Sequence, residues 1–309
     1  MKRKISIIIF CLMCANVLFA LDSCYADYGM PIKKITLTDG SQMAYVEKGK
    51  GRVIIFIHGL GGNISHWTKT IKELAKNYRC IAVDLPGYGY SLTENINSDD
   101  PLRFYADAII QLVQKLKIKK ITLAGHSMGG QIAMIAGLAN PRLIQKLILI
   151  DPAGLETFTD AEHTIFLNFT TPVFFKNQDE PTIRKNYANN FYQQPADAEE
   201  LIQYRLRLKH CAAFDNYTHI LVNGVKGMLA HPIINDLGKI KQKVLLVFAE
   251  NDQLIPNKIL HPNMTYKDVI DIATKNIKNI QVKVISKAGH MLPFEQPEQL
   301  NLSIKNFLT

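Results

Sequence analysis

The stretch "GHSMGG" at residues 125–130 contains the residue types and spacing that point most directly to chemistry. Ser127 lies two residues after Gly125 and two before Gly129, where an apolar strand-like run meets an apolar helix-like run. A serine on such a sharp turn adopts a strained backbone and exposes its hydroxyl above the sheet, and the glycines allow strand and helix to approach closely. An ordinary helix N-cap would also place a serine at this turn. We interpret Ser127 as a candidate nucleophile.

A serine hydroxyl becomes a good nucleophile only when a base takes its proton and a third group orients that base. His290 follows the last strand-like run, in "SKAGHMLPFEQP", at a strand end from which it can reach Ser127. Asp252 in "LLVFAENDQLIP" follows another strand-like run and is the predicted acid. Asp151 follows the strand after the serine and competes for that role, and Glu250 is a further alternative.

Acyl transfer also needs donors for the negative oxygen of its tetrahedral intermediate. The backbone N–H of Met128 opens the helix behind the serine, where the helix dipole favours negative charge. The second donor is predicted in the glycine-rich loop "HGLGG", where Leu60 is best placed to offer its N–H. In the same loop His58 is expected to anchor the backbone, and His126 is expected to pack beneath the serine turn.

Short runs of Val, Ile and Leu alternate with helical stretches along most of the chain, as in "RVIIFIHG", "CIAVDLPG", "KKITLAGH" and "KVLLVFAE". Runs without polar alternation are typical of a sheet covered on both faces. Alternating strands and helices predict an α/β fold with a mostly parallel, doubly wound sheet. Ligands bind outside the carboxyl ends of such strands, where each candidate residue lies.

The alternation stops over residues 155–236, which are helical and irregular and hold 11 of the 26 Phe and Tyr residues. We predict a helical cap there, inserted between two strands of a core formed by residues 27–154 and 237–309. The cap should fold over the strand ends. Phe174 and Phe175 in "FLNFTTPVFF" are predicted to bind substrate by lining an apolar acyl pocket above Ser127.

Residues 1–26 have the layout of a secretory signal peptide, with a basic start, an apolar run and small residues before Ala26. Cleavage is predicted after Ala26. Retention as an N-terminal anchor and lipidation at Cys24 are the alternatives. Cleavage after Ala26 would leave Cys80 and Cys211 from five cysteines, and we expect these to be free thiols rather than a disulfide.

The formal net charge of +9 would suit anionic surfaces, but the basic residues are scattered and no nucleic-acid-binding module is present. A structural zinc site is not expected, since no C-x-x-C or Cys/His ligand cluster occurs. The short "PGYG" lacks the context of a dinucleotide fingerprint.

In chain order, "HGLGGN", "DLPGYGYS", "GHSMGG", "END" and "GHMLPFEQPE" resemble the α/β-hydrolase superfamily over nearly all of the chain after the export segment. Within it the chain is most similar to lid-bearing bacterial esterases and lipases, especially those of Moraxella and Psychrobacter type. The resemblance implies Ser127 as nucleophile, Asp252 as acid and His290 as base, with Leu60 and Met128 as oxyanion donors. Dehalogenases and epoxide hydrolases of similar fold carry Asp at the nucleophile position, which argues against both.

We therefore expect an exported, periplasmic or secreted serine esterase or lipase that acts on small-molecule or lipid esters of short to medium acyl chains. It would need no metal or organic cofactor, would bind no nucleic acid and would be able to associate with a membrane surface. Another acyl or carbon–carbon bond hydrolase of the same fold is the alternative, although Met291 stands where the latter often have an aromatic residue. A catalytically silent binding protein is the hypothesis from a different functional class.

Overall fold

The computed structural model describes residues 24–91, 96 and 98–309. Residues 1–23, the greater part of the predicted export segment, lie outside the described residues. Within the part that is described, no helix has the length and apolar character needed to cross a membrane.

An eight-stranded sheet forms the centre of the molecule, with the strand order β1-β2-β4-β3-β5-β6-β7-β8. The strands are β1 (Lys33–Thr36), β2 (Gln42–Lys48), β3 (Val53–Ile57), β4 (Arg79–Asp84), β5 (Ile121–His126), β6 (Ile144–Ile150), β7 (Lys243–Ala249) and β8 (Ile280–Ile285). The first two form an antiparallel hairpin, and β2 pairs antiparallel with β4. From β4 to β8 all neighbouring strands pair in parallel, which confirms the predicted fold class.

The helices cover both faces of the sheet and link its parallel strands. Among the described residues they are α1 (Thr68–Leu74), α2 (Pro101–Lys115), α3 (Met128–Ala139), α4 (Asp160–Phe169), α5 (Pro172–Lys176), α6 (Glu180–Ala188), α7 (Glu199–Leu208), α8 (Phe214–Ala230), α9 (Tyr266–Asn276), α10 (Leu292–Glu295) and α11 (Pro297–Leu308). Three short 3₁₀ helices lie at Ile64–Trp67, Ala196–Ala198 and Ile234–Lys239. Every residue of β3 and β5 is buried, as the continuous apolar runs require.

Helices α4 to α8 lie between β6 and β7, in the segment predicted as a cap. Tyr217 and Ile220 of α8 belong to the same buried cluster as the sheet, so this long helix packs directly on the core. A second, smaller cluster joins Phe191 and Leu201 of the inserted segment to Met291 and Phe294 near the C-terminus. Both clusters hold the inserted segment against the core.

A disulfide joins Cys24 to Cys211, across a sequence separation of 187 residues, and Cys80 is a buried free thiol. The expectation of a free thiol was correct for Cys80 and wrong for Cys211. The assumption behind it was that Cys24 belongs to a removed segment. The structure instead gives Cys24 a partner between α7 and α8, and Ala26 belongs to the buried core.

Candidate active site

The turn between β5 and α3 holds Ser127 with φ 54° and ψ −122°, a conformation that a residue with a side chain rarely adopts. The turn persists because both sides of it are fixed. The Ser127 backbone N–H donates to the Ile150 carbonyl at 3.0 Å, and its own carbonyl accepts from Ala153 N–H at 3.1 Å. The serine consequently stands on a rigid, strained turn at the carboxyl edge of the sheet, as its spacing predicted.

The flanking glycines are required by close backbone contacts. A Cβ added to Gly125 would stand 2.1 Å from the Gly129 carbonyl oxygen, and one added to Gly129 would stand 2.3 Å from the Ile57 carbonyl oxygen. Both distances are well inside van der Waals contact, so any larger residue would push α3 away from the sheet. The G-x-S-x-G spacing is thus a packing requirement of this turn.

His290 and Asp252 form a buried pair, with 4% of each residue exposed. The His290 Nδ1–H donates to Asp252 Oδ2 at 2.7 Å, since a carboxylate can only accept. The other carboxylate oxygen accepts from the backbone N–H groups of Leu254 and Ile255 at 2.7 and 3.1 Å. These bonds leave Nε2 of His290 as the proton acceptor, and both His290 and Ser127 line one cavity.

Asp151, the competing acid, is fully buried and follows β6 with φ 41°. One of its oxygens accepts from Ala249 N–H at 2.7 Å, and Oδ2 has no partner among the described residues. Burial raises the pKa of Asp151 well above its ordinary value, and the nearby charge of Asp252 raises it further. Asp252 rather than Asp151 accepts the hydrogen bond from His290, so the geometry favours Asp252 as the acid.

Three buried side chains fix the loops around His290 and Asp252. His58 contacts the Gly59 carbonyl through Nδ1 at 2.8 Å and accepts from Leu85 N–H at 3.1 Å, and burial lowers its pKa to about 4. His126 Nε2 donates to the His290 carbonyl at 2.7 Å. Asp84 accepts from Ile64 N–H at 2.9 Å, and burial raises its pKa to about 7. The predicted anchoring role of His58 is confirmed, and His126 directly supports the histidine loop.

The two predicted oxyanion donors lie on segments that approach Ser127. Met128 is the first residue of α3, so its N–H has no helical acceptor. The loop that carries Leu60 passes close to the serine, because a Cβ added to Gly59 would stand 3.0 Å from Ser127 Cβ. Leu60 itself lines the cavity that contains Ser127. This arrangement suits an oxyanion site, which remains a prediction.

The cavity beside Ser127 has a volume of about 310 Å³ and largely apolar walls. The cap contributes Phe158, Phe166, Val225, Met228 and Leu229 to its walls. An apolar pocket of this kind fits the alkyl part of a substrate.

Neither Phe174 nor Phe175 lies on this cavity, which corrects their predicted role. Phe174 is 49% exposed on α5. Phe175 lines a neighbouring cavity of about 270 Å³. The apolar "TPVFF" segment drew attention to these residues, but α5 is so short that its orientation depends on what the cap packs against.

Sequence reasoning missed two groups at the site. Phe158 and Phe166 stand in the predicted cap, but nothing in their spacing separates them from the other aromatic residues there. Arg205, in "YRLRLKH", has the sequence context of a solvated helix face, yet it is 6% exposed and lines the second cavity. Only the packing of α7 distinguishes it from its exposed neighbours.

Residues 52–297 match the sequence profile of the alpha/beta hydrolase fold family. Among curated relatives, the dihydrolipoyllysine-residue acetyltransferase component of an acetoin cleaving system from Cupriavidus necator is 25% identical over 279 residues, which are 87% of this chain. The chain spans 67% of that relative and 64% of the corresponding component from Pseudomonas putida, about two thirds of their length.

Two further proteins match the chain over most of both lengths. The 2-hydroxy-6-oxo-6-phenylhexa-2,4-dienoate hydrolase of Comamonas testosteroni is 27% identical, with 85% of this chain and 90% of the relative covered. The crystal structure of a membrane phospholipase A described as a novel bacterial virulence factor superposes with a TM-score of 0.76 at 23% identity, covering 100% of this chain and 98% of the other.

Proposed function

Because the chain belongs to the α/β-hydrolase fold family, we propose that it is a serine hydrolase that cleaves carboxylic esters through an acyl-enzyme. The observation that carries this proposal is that three features occur together at one cavity. They are the strained turn of Ser127, the hydrogen bond of 2.7 Å between His290 and Asp252, and the apolar walls beside them. The proposed catalytic residues are Ser127, His290 and Asp252.

In the proposed cycle, Nε2 of His290 takes the proton of Ser127 while the hydroxyl oxygen attacks the ester carbonyl. Asp252 stabilises the imidazolium, and the N–H groups of Leu60 and Met128 bind the oxyanion. The protonated His290 then gives its proton to the leaving alcohol, and an acyl-enzyme remains. Water, activated by the same histidine, hydrolyses the acyl-enzyme and regenerates the serine.

Carbon–carbon bond hydrolysis is the second candidate, because the relative from Comamonas testosteroni is named for such a substrate. The two activities can be distinguished by direct comparison of their substrates. A series of 4-nitrophenyl esters from acetate to palmitate, an emulsified triglyceride and a 2-hydroxy-6-oxohexa-2,4-dienoate should be compared by kcat/KM. Ester turnover above that of the dienoate supports the proposal, and the reverse order would replace it with the second candidate.

The acyl preference should depend on the cap aromatics that line the cavity. Each buried methylene contributes about 0.8 kcal/mol, so kcat/KM should rise from acetate towards butyrate or octanoate and then fall when the cavity is full. Replacing Phe158 or Phe166 by alanine enlarges the cavity and should move the optimum to longer chains, with about tenfold changes between neighbouring esters at most.

Phe174→Ala is the matched control for this test, since Phe174 is half-exposed and lies off the cavity. On dissolved esters its profile should coincide with that of the wild type. An identical profile in all four proteins would show that the acyl chain binds elsewhere.

We also propose that the protein is exported, with Cys24 retained. A disulfide suits an oxidising compartment, and cleavage after Ala26 or lipidation of Cys24 would prevent the bond to Cys211. The proposal therefore favours cleavage upstream of Cys24 or retention of the segment as an anchor. Fractionation of the native host, with mass spectrometry of the purified protein, should find it outside the cytosol with an N-terminus at or before Cys24.

Cys211→Ser should lower the free energy of unfolding by about 2–4 kcal/mol, because the crosslink closes a long loop of the unfolded chain. Cys24→Ser is the matched variant, and it should lose the same amount, as should the wild type in the presence of a reductant. A mature protein that begins after Ala26, or variants as stable as the wild type, would contradict the crosslink.

Contact with a membrane surface is part of the proposed function. Helices α4 and α5 expose four large apolar side chains, those of Ile165, Phe169, Val173 and Phe174. Phe166, on the same helix as Ile165 and Phe169, lines the cavity, so this exposed surface lies on the cap over the site. Such a surface can bury itself among lipids. Higher activity on emulsified than on dissolved esters is the expected sign of it.

A further inference from the structure

The cavity next to the proposed acyl pocket contains a buried cation for which the described residues supply no counter-ion. Arg205 on α7 is 6% exposed and lines this second cavity, whose volume is about 270 Å³. Both terminal nitrogens of its guanidinium, Nη1 and Nη2, lack a hydrogen-bond partner in the part of the chain that the structure describes. No carboxylate is among the residues that line the cavity.

An unpaired buried guanidinium is costly, because burial removes the water that would solvate its charge and donors. The Cζ atom of Arg205 lies 4.9 Å from the ring centre of Phe214 and 5.7 Å from that of Tyr217. Aromatic contacts of this kind hold the side chain in place without using its N–H donors. The rest of the wall offers neutral polar groups, with Gln178 and Asn186 among them.

The second cavity adjoins the cavity of Ser127. The two share Leu60, His66, Asn190 and Met291 as wall residues. In addition, the Tyr217 hydroxyl donates to the Gly61 carbonyl at 3.1 Å. Tyr217 therefore connects Arg205 to the loop of Leu60, the proposed oxyanion donor. The second cavity therefore lies within the length of a substrate molecule from Ser127.

We propose that the second cavity is an anion subsite, in which Arg205 binds a carboxylate or phosphate group of the ester substrate with its two terminal nitrogens. The substrate is then an amphiphilic ester, with an apolar part beside Phe158 and Phe166 and an anionic end at Arg205. Planar, bidentate recognition of two oxygens is what a guanidinium does best. The inference rests on the proposed ester hydrolysis for its kinetic test, so binding is measured separately.

The kinetic test compares octanoate esters of propane-1,3-diol, 3-hydroxypropanoate and 3-hydroxypropyl phosphate, which differ in the charge of the alcohol part. Monoethyl adipate and ethyl hexanoate differ in the same way on the acyl side, because only the adipate carries a terminal carboxylate. In the wild type, one anionic ester should exceed its neutral counterpart in kcat/KM, and the carboxylate and phosphate compounds identify the source of the anion. Arg205→Met should lower this ratio about 10- to 100-fold, the range for hydrogen bonds to charged groups.

Arg207→Met is the matched control, because Arg207 is exposed on the same helix. It should keep the wild-type ratio, and Arg205→Lys should lower the ratio less than methionine does, since lysine keeps the charge and loses the bidentate geometry. A ratio that is the same in the wild type and in Arg205→Met overturns the proposal, as does an equal loss in Arg207→Met.

Calorimetry with Ser127→Ala separates the subsite from the reaction. Octanoate or octyl phosphate should bind at least tenfold more tightly than octanol, and the addition of Arg205→Met should remove the difference. If the anions bind more tightly and the wild type turns over no ester, the proposed function is refuted and the anion subsite is supported. Ester turnover with equal affinities for octanoate, octyl phosphate and octanol would keep the function and refute the subsite.

Discussion

Replacing Ser127 by alanine should abolish ester hydrolysis, with a loss in kcat on the order of a million-fold. No neighbouring hydroxyl or thiol is placed to substitute for the lost group, since the described residues that line the cavity include no other Ser, Thr, Tyr or Cys. The fold should be unaffected, because the hydrogen bonds that fix the turn use the backbone of Ser127. The measurement is single-turnover kinetics on a 4-nitrophenyl ester, together with covalent labelling by a fluorophosphonate probe.

The wild type should be labelled stoichiometrically and Ser127→Ala not at all. Activity of the variant within tenfold of the wild type would remove the proposed mechanism. A wild type that binds esters and is neither labelled nor active would instead support the silent binding protein.

Asp252→Asn should lower kcat by about ten-thousand-fold. An amide donates its N–H to His290 Nδ1, which stabilises the tautomer that carries its proton on Nε2 and cannot accept one from the serine. The two backbone donors to the other oxygen, Leu254 and Ile255, should keep the side chain in place. The loss of kcat is therefore due to the position of the proton on the His290 ring and not to a misfolded loop.

Asp151→Asn provides the matched control for this variant. Burial raises the pKa of Asp151 well above its ordinary value, so an amide is close to a neutral isostere of the acid, and its oxygen can still accept from Ala249 N–H. Activity should stay within about tenfold of the wild type. If Asp151→Asn is the variant that loses activity by several orders of magnitude, the assignment of the acid is wrong.

The sequence by itself determined the fold class and the edge of the sheet at which the site forms. Uninterrupted apolar runs separated by helices can be buried on both faces only in a parallel sheet, whose strands all end at one edge. Ser127, Asp252 and His290 each come after a strand, so all three were expected at that one edge. The close glycines beside Ser127 were a local signal, and the structure gives their packing reason.

Tertiary structure decided everything that depends on which neighbour a side chain meets. Asp151 and Asp252 follow adjacent strands and look alike in sequence, but Asp252 alone meets His290 and two backbone donors. Cys24 and Cys211 are paired by the docking of the N-terminal segment and the cap, at a separation that no sequence pattern records.

The walls of the two cavities were likewise set by how the cap helices pack. Phe158 and Phe166 rather than Phe174 turn toward Ser127, and Arg205 rather than Arg207 is buried on α7. Helical periodicity distinguishes one face of a helix from another but does not say which face meets which element. The physical reason is that burial is a property of the contact between elements, whereas the sequence records only the elements themselves.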